Sequence, residues 1–360
     1  MLTTPVVRCL KLQLGAEIHY LTKQQYLPLL EANPHIDRIF TIKKNVSEVL
    51  PELRRERYDC VVDLHKNLRT MQVRLGLFFG VKWLSFDKLN VEKWLLTTLK
   101  INRLPTEHIV DRYLAAAAPL GVKNDGQGLD FFFREAPPAD SQEVTSFSIA
   151  EPPMFSSPVP EKGVISESGI LHEMTPFSTT ILLNFEGPAV EKDVTSAGYL
   201  AFAIGAQHQT KRLPTAKIVE ICKGIKRPIF LLGGKEEEAE GEQIAEQSGS
   251  HVTNLCGKLS LQESAEVLRG AAFVITHDTG MMHIAAAFQQ KILSIWGNTV
   301  PAFGMSPYYG SEHPDRNISF EVPGLACRPC SKIGHAACPM GHFRCMNGQD
   351  VEKIVQEASP

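Results

Sequence analysis

Apolar residues come in two textures along this chain. Short runs at 16–22, 39–42 and 59–64 read as strands, while 46–57 and 68–79 carry helical spacing. The alternation returns more regularly in the second half, with strands at 199–204, 228–232, 252–255, 273–276 and 292–296. Helices lie between them, one opened by Ser260-Leu261-Gln262-Glu263, a capping-box pattern. Strands separated by helices predict parallel βα units, and five in succession predict a Rossmann-like domain. Residues 1–14 are helix-like from the outset, with Leu2, Val6, Val7, Leu10 and Leu12 as the apolar positions. A βα domain normally opens with a strand, and none precedes this helix.

Residues 135–197 are a different material, with Pro137, Pro138, Pro152, Pro153, Pro158 and Pro160 set among Ser, Glu and Ala. Only 179–185 looks strand-like. So long a patternless stretch reads as a linker or disordered insertion. The organisation expected is therefore an N-terminal domain at 1–134, the linker at 135–197, a second domain at 198–326, and a Cys-rich tail with a terminal helix at 327–360. A length of 360 residues suits two domains at ~150 residues each.

Composition narrows the class. Hydrophobic content of 43% with 21% charged residues is that of a globular protein with ample core. A net charge of -3 offers no argument for nucleic acid. No apolar run approaches the ~18 residues of a membrane span. The opening MLTTPVVRCLKLQLG lacks the apolar core of a signal peptide, so a reducing cytoplasm is the expected compartment. Cys9, Cys60, Cys222 and Cys256 are scattered in apolar settings and read as core. Cys327, Cys330, Cys338 and Cys345 form C-x2-C-x7-C-x6-C, which suggests a structural zinc with four protein ligands. Packing thiols or a disulfide pair are the rival readings.

Four polar segments each follow a strand of the second domain: 205–212 (GAQHQTKR), 233–238 (GGKEEE), 277–283 and 297–299. Loops after parallel strands share one sheet edge, so the four can converge on one ligand. Asp278-Thr279-Gly280 opens a helix whose first N–H groups and dipole favour an anion, unless Asp278 or Thr279 simply caps it. Lys211 precedes another helix start and is apt for a diphosphate. No Asp-x-Asp occurs anywhere. In the first domain, His65-Lys66-Asn67-Leu68-Arg69 follows a strand, and His108, Asp111, Arg112 and Tyr113 open a later helix. Each is either a solvated face or a ligand-facing cluster. Trp94, Leu95, Leu96 and Leu99, edged by Lys93, Lys100 and Arg103, read as an amphipathic helix, packed on the core or touching a membrane surface.

The string D-T-G-M-M-H-I-A-A-A at 278–287, followed by I-W-G-N-T-V-P at 295–301, resembles the signature of glycosyltransferase family 9, the heptosyltransferases of the lipopolysaccharide inner core. The resemblance implies a GT-B fold, α/β with two Rossmann-like domains whose parallel sheets face across a cleft. It implies inverting transfer of a heptose from ADP-heptose to a core acceptor at the inner-membrane surface, without a catalytic metal. The donor residues implied are Lys211, Asp278, Thr279, Gly280, Met281 and His283, with Glu237 as the acid on the ribose; the acceptor residues are Lys66, Arg69 and Arg112. The family's base is an Asp in a Gly-Asp turn after the first strand. This chain is expected to start after that turn, with its N-terminal domain lacking that strand; Asp63 and Asp111 are substitutes without a motif. A nucleotide-sugar-binding protein of the same fold with little or no turnover is the second reading. The location implied is cytoplasmic, with peripheral attachment to the inner membrane compatible.

Overall fold

The second half is organised by one parallel sheet, which forms because its central strands are apolar on both sides and so can be covered by helices on both faces. The computed structural model describes residues 1–77, 80–134, 198–311 and 316–359. The expected linker at 135–197, with its strand at 179–185, lies outside the described residues.

The N-terminal half runs α1 (Thr4–Leu14), β1 (His19–Lys23), β2 (Arg38–Ile42), α2 (Leu50–Arg55), β3 (Cys60–Asp63), α3 (Leu68–Gly76), β4 (Lys82–Ser85), α4 (Asn90–Trp94) and α5 (Ile109–Ala117). The second half runs β5 (Leu200–Ala203), α6 (Thr215–Gly224), β6 (Ile229–Leu232), α7 (Glu238–Ser248), β7 (Val252–Asn254), α8 (Leu261–Gly270), β8 (Phe273–His277), α9 (Gly280–Ala287), β9 (Ile292–Trp296), β10 (Asn317–Glu321), α10 (Arg344–Asn347) and α11 (Val351–Ala358). Every expected strand of the second half is present, within a residue or two. β4 and β10 were not expected. Both are short and carry polar residues, as edge positions allow, so neither shows an apolar run.

The six strands lie in the order β10-β9-β8-β5-β6-β7, all parallel. Period-2 alternation divides their side chains between two cores. Ala201, Ala203, Val274 and Trp296 join the cluster that includes Met282 of α9 and Val6, Cys9 and Leu114 of the N-terminal half. Leu200, Phe202, Ile275 and Leu293 join the cluster beneath α6 and α11. One continuous core therefore runs from α1 and α5 into the second half, and the described residues fall in one compact unit.

The N-terminal strands pair differently. β1 with β2 and β3 with β4 form two separate two-stranded parallel sheets. Their faces are only partly covered, and a small third core of Phe40, Ile42, Val46, Val49, Leu53 and Val73 lies beneath them. The amphipathic span at 90–99 is broken in two: α4 passes into a π-helical turn, Leu95–Leu99, that ends at Lys100 in the left-handed region. No helix among the described residues is long and apolar enough to cross a membrane.

α1 carries a buried cation that its apolar pattern conceals. The Arg8 guanidinium bonds Asp125 through Nε at 2.7 Å and Nη2 at 2.8 Å, the Gly128 carbonyl at 3.0 Å, and Asp130. Burial pushes the Asp130 carboxyl up, with Arg8 opposing, while Arg8 and the Gln127 amide hold Asp125 below the usual range against the same burial. Arg8→Met would leave both carboxylates buried without their cation. Such a change costs about 3–5 kcal/mol, read as a lower urea midpoint of the whole chain.

Candidate functional site

Strand order reverses between β8 and β5: β5, β6 and β7 spread one way, and β8, β9 and β10 the other. At such a switch point the outgoing loops diverge and leave a crevice at the carboxyl edge, the usual ligand position in open α/β sheets. Lys211 leaves β5 through a 3₁₀ turn, Gln209–Lys211, and Asp278 follows β8 directly. They meet across the switch point. The Lys211 ammonium donates to Asp278 Oδ2 at 2.6 Å and to the Asp278 carbonyl at 3.3 Å, both side chains largely buried. Thr299, from the loop after β9, donates its hydroxyl to the same Oδ2 at 2.9 Å. An ammonium has three donors, so one is left for a ligand.

α9 starts beside this bridge. Ser260, Asn67 and Asp350 cap their helices through side-chain hydrogen bonds, whereas Thr279 at the same position of α9 makes none. The first-turn N–H groups are thus left without a side-chain cap, and a Cβ at Gly280 would meet nothing within 4 Å. This helix start is open where the rival reading, a simple cap by Thr279, would have closed it. Met281 instead packs against the core shared by the two halves. His283 is buried with Nδ1 unpartnered; burial, then nearby cations including Lys211, pushes its pKa down to about 3. Glu237 is buried too. Its Oε2 accepts from the Gly234 amide at 2.8 Å and its Oε1 pairs with Arg212 at 2.6 Å. The carboxylate expected on a ribose thus also orders the loop after β6.

The support of this site was not visible in the spacing of any motif. Arg328, in the Cys-rich segment, has a side chain 8% exposed that donates to the carbonyls of Gly297, Trp296 at 3.3 Å and Thr299 at 2.9 Å, while pairing with Glu321 of β10 at 2.6 Å. Thr210, beside Lys211, exchanges hydrogen bonds with His335: its hydroxyl and amide meet the His335 carbonyl, and the His335 amide donates to that hydroxyl at 2.8 Å. Gly297 permits the close approach, since a Cβ there would lie 2.7 Å from the Thr210 carbonyl. The Cys-rich segment is a strap over the loops that carry Lys211 and Thr299. An Arg between two cysteines was the available signal.

The acceptor-side candidates separate by burial. Lys66 and Arg69 are exposed, Lys66 in the left-handed region with its amide on Asp63 at 2.7 Å. Arg112 is only 6% exposed; its Nη2 lies 3.4 Å from the Phe303 carbonyl, and Nε and Nη1 have no partner. The cations form one field. Burial lowers His65, and Lys88 and Arg69 lower it further; burial lowers Lys93 to about 8, with Arg112, Lys332 and Lys88 adding to the effect. Asp63 and Asp111 are engaged, Asp63 by the amides of His65 and Lys66, Asp111 by Asn124 and Tyr308.

Residues 46–312 match glycosyltransferase family 9 (heptosyltransferase). The chain belongs to this family. It is 30% identical over 132 residues to lipooligosaccharide heptosyltransferase 2 of Campylobacter jejuni, covering 36% of this chain and 39% of that protein. It is 34% identical over 92 residues to lipopolysaccharide heptosyltransferase 1 of Salmonella typhimurium, covering 24% of this chain and 28% of that protein. The matches thus span less than half the length of these relatives. Among solved structures, a family 9 glycosyl transferase from Veillonella parvula is similar with a TM-score of 0.65 at 18% identity, over 99% of this chain and 92% of that one. The E. coli heptosyltransferase WaaC with ADP is similar with a TM-score of 0.57 at 18% identity, over 99% of this chain and 95% of that one. These likenesses show the fold, which is GT-B.

Within this family 9 chain, the four cysteines expected to hold a zinc share one segment, and Cys327, Cys330 and Cys338 each act electrostatically on Cys345. Among the described residues no three His, Cys, Asp or Glu side chains are gathered to hold a metal ion. The Cys327 sulfur lies 3.7 Å from His342 Nε2, the Cys330 thiol donates to the Cys327 carbonyl at 3.2 Å, and Cys338 accepts from the Phe343 amide at 3.4 Å. Cys345 is buried in α10, its thiol pushed up to about 11 by that burial. All four are free, so no disulfide joins them.

Two measurements follow from these groups. Arg112 carries buried charge without a paired carboxylate, a cost to the folded state. Arg112→Met should therefore stabilise the protein by about 1–4 kcal/mol in anion-poor buffer, read by denaturant unfolding. His277 is fully buried, accepting from the Leu213 amide at 3.0 Å through Nε2, and burial pushes its pKa down to about 4. Above its ordinary value of 6.5 both states are neutral; below it the unfolded chain binds a proton that the folded one refuses until about 4. Stability should fall as pH drops through that window, less steeply in His277→Asn.

Proposed function

We propose that this chain is an inverting glycosyltransferase that takes a heptose from ADP-heptose and passes it to an anionic lipopolysaccharide-core acceptor. The observation that carries the reading is the bridge at the switch point: Lys211 held on Asp278, Thr299 on the same carboxylate, and an uncapped helix start beside them. A diphosphate leaving group needs positive charge where its oxygens gather negative charge as the glycosidic bond breaks. The third N–H of Lys211 and the first N–H groups of α9 supply it without a metal ion. Asp278 keeps the ammonium oriented, and Thr299 keeps Asp278 oriented. The space above Gly280 gives the pyrophosphate room against the backbone.

The acceptor enters from the N-terminal half, where Lys66, Arg69 and Arg112 face its anionic groups. Arg112 suits a carboxylate or phosphate because a guanidinium binds both oxygens of such a group at once. The acceptor hydroxyl attacks the anomeric carbon from the face opposite the diphosphate. A base takes its proton, the configuration inverts, and ADP leaves. The first named relatives are heptosyltransferases of lipooligosaccharide and lipopolysaccharide, which supports the sugar and the acceptor class.

Calorimetry with ADP in EDTA tests the donor half of the reading. Binding should be present without added divalent metal and weaken by about 1.5–3 kcal/mol in Lys211→Ala, the range for a hydrogen bond to a charged group. Binding that appears only with magnesium would overturn the metal-independent site. ADP binding without any transfer to a core acceptor would favour a binding protein over an enzyme.

A further inference from the structure

Seven of the twelve large hydrophobic side chains exposed among the described residues fall within residues 68–101. On α3, Leu68 (75% exposed), Met71 and Leu75 (79%) recur at i, i+3 and i+7, one helix face, while Val73 and Gly76 are buried on the other. On and after α4, Val91, Trp94, Leu99 and Ile101 are exposed, and Leu96 turns inward. An ordinary surface helix shows the opposite arrangement, polar outward. Single exposed apolar residues need no explanation, but a concentration of them on two neighbouring elements does.

The same stretch is the basic part of an acidic protein. Residues 66–103 contain eight Lys or Arg against two acids, Asp87 and Glu92, in a chain of net charge -3. α3 and α4 both leave the carboxyl ends of the paired strands β3 and β4, and Lys88 at the start of α4 acts electrostatically on His65 at the start of α3. Lys100 Nζ reaches the carbonyls of Cys327 at 3.1 Å and Pro329 at 2.8 Å, and Lys332 acts on Lys93. The strap, with exposed Ile333, therefore borders the same surface.

We propose that the exposed faces of α3 and of the α4 segment dock this protein on an anionic lipid bilayer. The charge decides the occupant. A protein partner would need a large acidic apolar surface, whereas a bilayer with anionic headgroups offers negative charge over an acyl layer, matching Lys and Arg set around Leu, Val and Trp. Trp94, half-exposed among lysines, has the amphipathic ring favoured at headgroup depth. Lysine and arginine stems lie along the apolar face while their charges stay with the headgroups. The elements concerned carry or adjoin Lys66, Arg69 and Arg112, so docking would hold the acceptor side at the membrane. That consequence rests on the proposed acceptor reading; the docking stands on the surface alone.

Co-sedimentation of the full chain with vesicles tests it, comparing phosphatidylcholine alone with an equimolar mixture of phosphatidylcholine and phosphatidylglycerol. Binding should be at least ~tenfold stronger to the anionic vesicles and weaken with salt. The double variant Leu75→Ser with Trp94→Ser should lose binding at least ~tenfold, and Arg74→Gln with Arg103→Gln should lose it on anionic vesicles; ADP affinity should be unchanged in both. Equal partition to neutral and anionic vesicles, no partition at all, or full binding by the Leu75/Trp94 variant would overturn the proposal. So would a wild-type dimer in sedimentation that the Leu75/Trp94 variant dissolves, since a second copy would then cover the face. If the chain binds vesicles as expected but not ADP, the donor reading falls and the docking surface stands.

Discussion

The bridge between Lys211 and Asp278 is the constraint on which the second half turns. It exists because strand order reverses between β5 and β8, which places the loops of two distant chain segments side by side. A lysine and an aspartate sixty-seven positions apart then share a short bond at a largely buried site. Such a pair is stable only when its remaining hydrogen-bonding capacity is met. Thr299 meets part of it, and the start of α9 beside it carries no side-chain cap. The strap through Arg328 and His335 then holds the two loops from outside. Loop geometry at one edge of the sheet thus depends on a segment from beyond its last strand.

The N-terminal half handles buried charge in two ways. Arg8 is matched by Asp125 and Asp130 and ties α1 to the end of that half. Arg112 is buried almost as deeply with no carboxylate on it. A fold selected only for stability would fill that position with an apolar side chain. This guanidinium has met the cost of desolvation during folding without a carboxylate to offset it.

The two halves also differ in how finished their sheets are. The central strands β5 and β9, buried on both faces, make a rigid base for the crevice, while the paired strands β1–β2 and β3–β4 are partly covered and carry exposed apolar helices. The apolar surface missing from the N-terminal core is on the outside of α3 and α4, where basic residues surround it.

Much of this was legible in the chain itself. Apolar runs on both-face-buried strands are unambiguous, so all five strands read in the second half are there, as are the helix at the start and the capping box at Ser260. The loops carrying Lys211, Asp278 and Gly280 could be placed on one edge, because parallel strands send their following loops the same way. Other features depended on the tertiary structure, because they arise between residues far apart in sequence. Short edge strands such as β4 and β10 have no run to betray them. Nothing local distinguishes the exposed Lys66 from the buried Arg112, or tells that Glu237 pairs with Arg212 and Gly234. The segment that carries four cysteines with metal-like spacing is tied to the loops of the sheet through Arg328, Cys330 and His335, a connection that no spacing announces. Spacing determines which groups can meet; only the packed backbone decides which do.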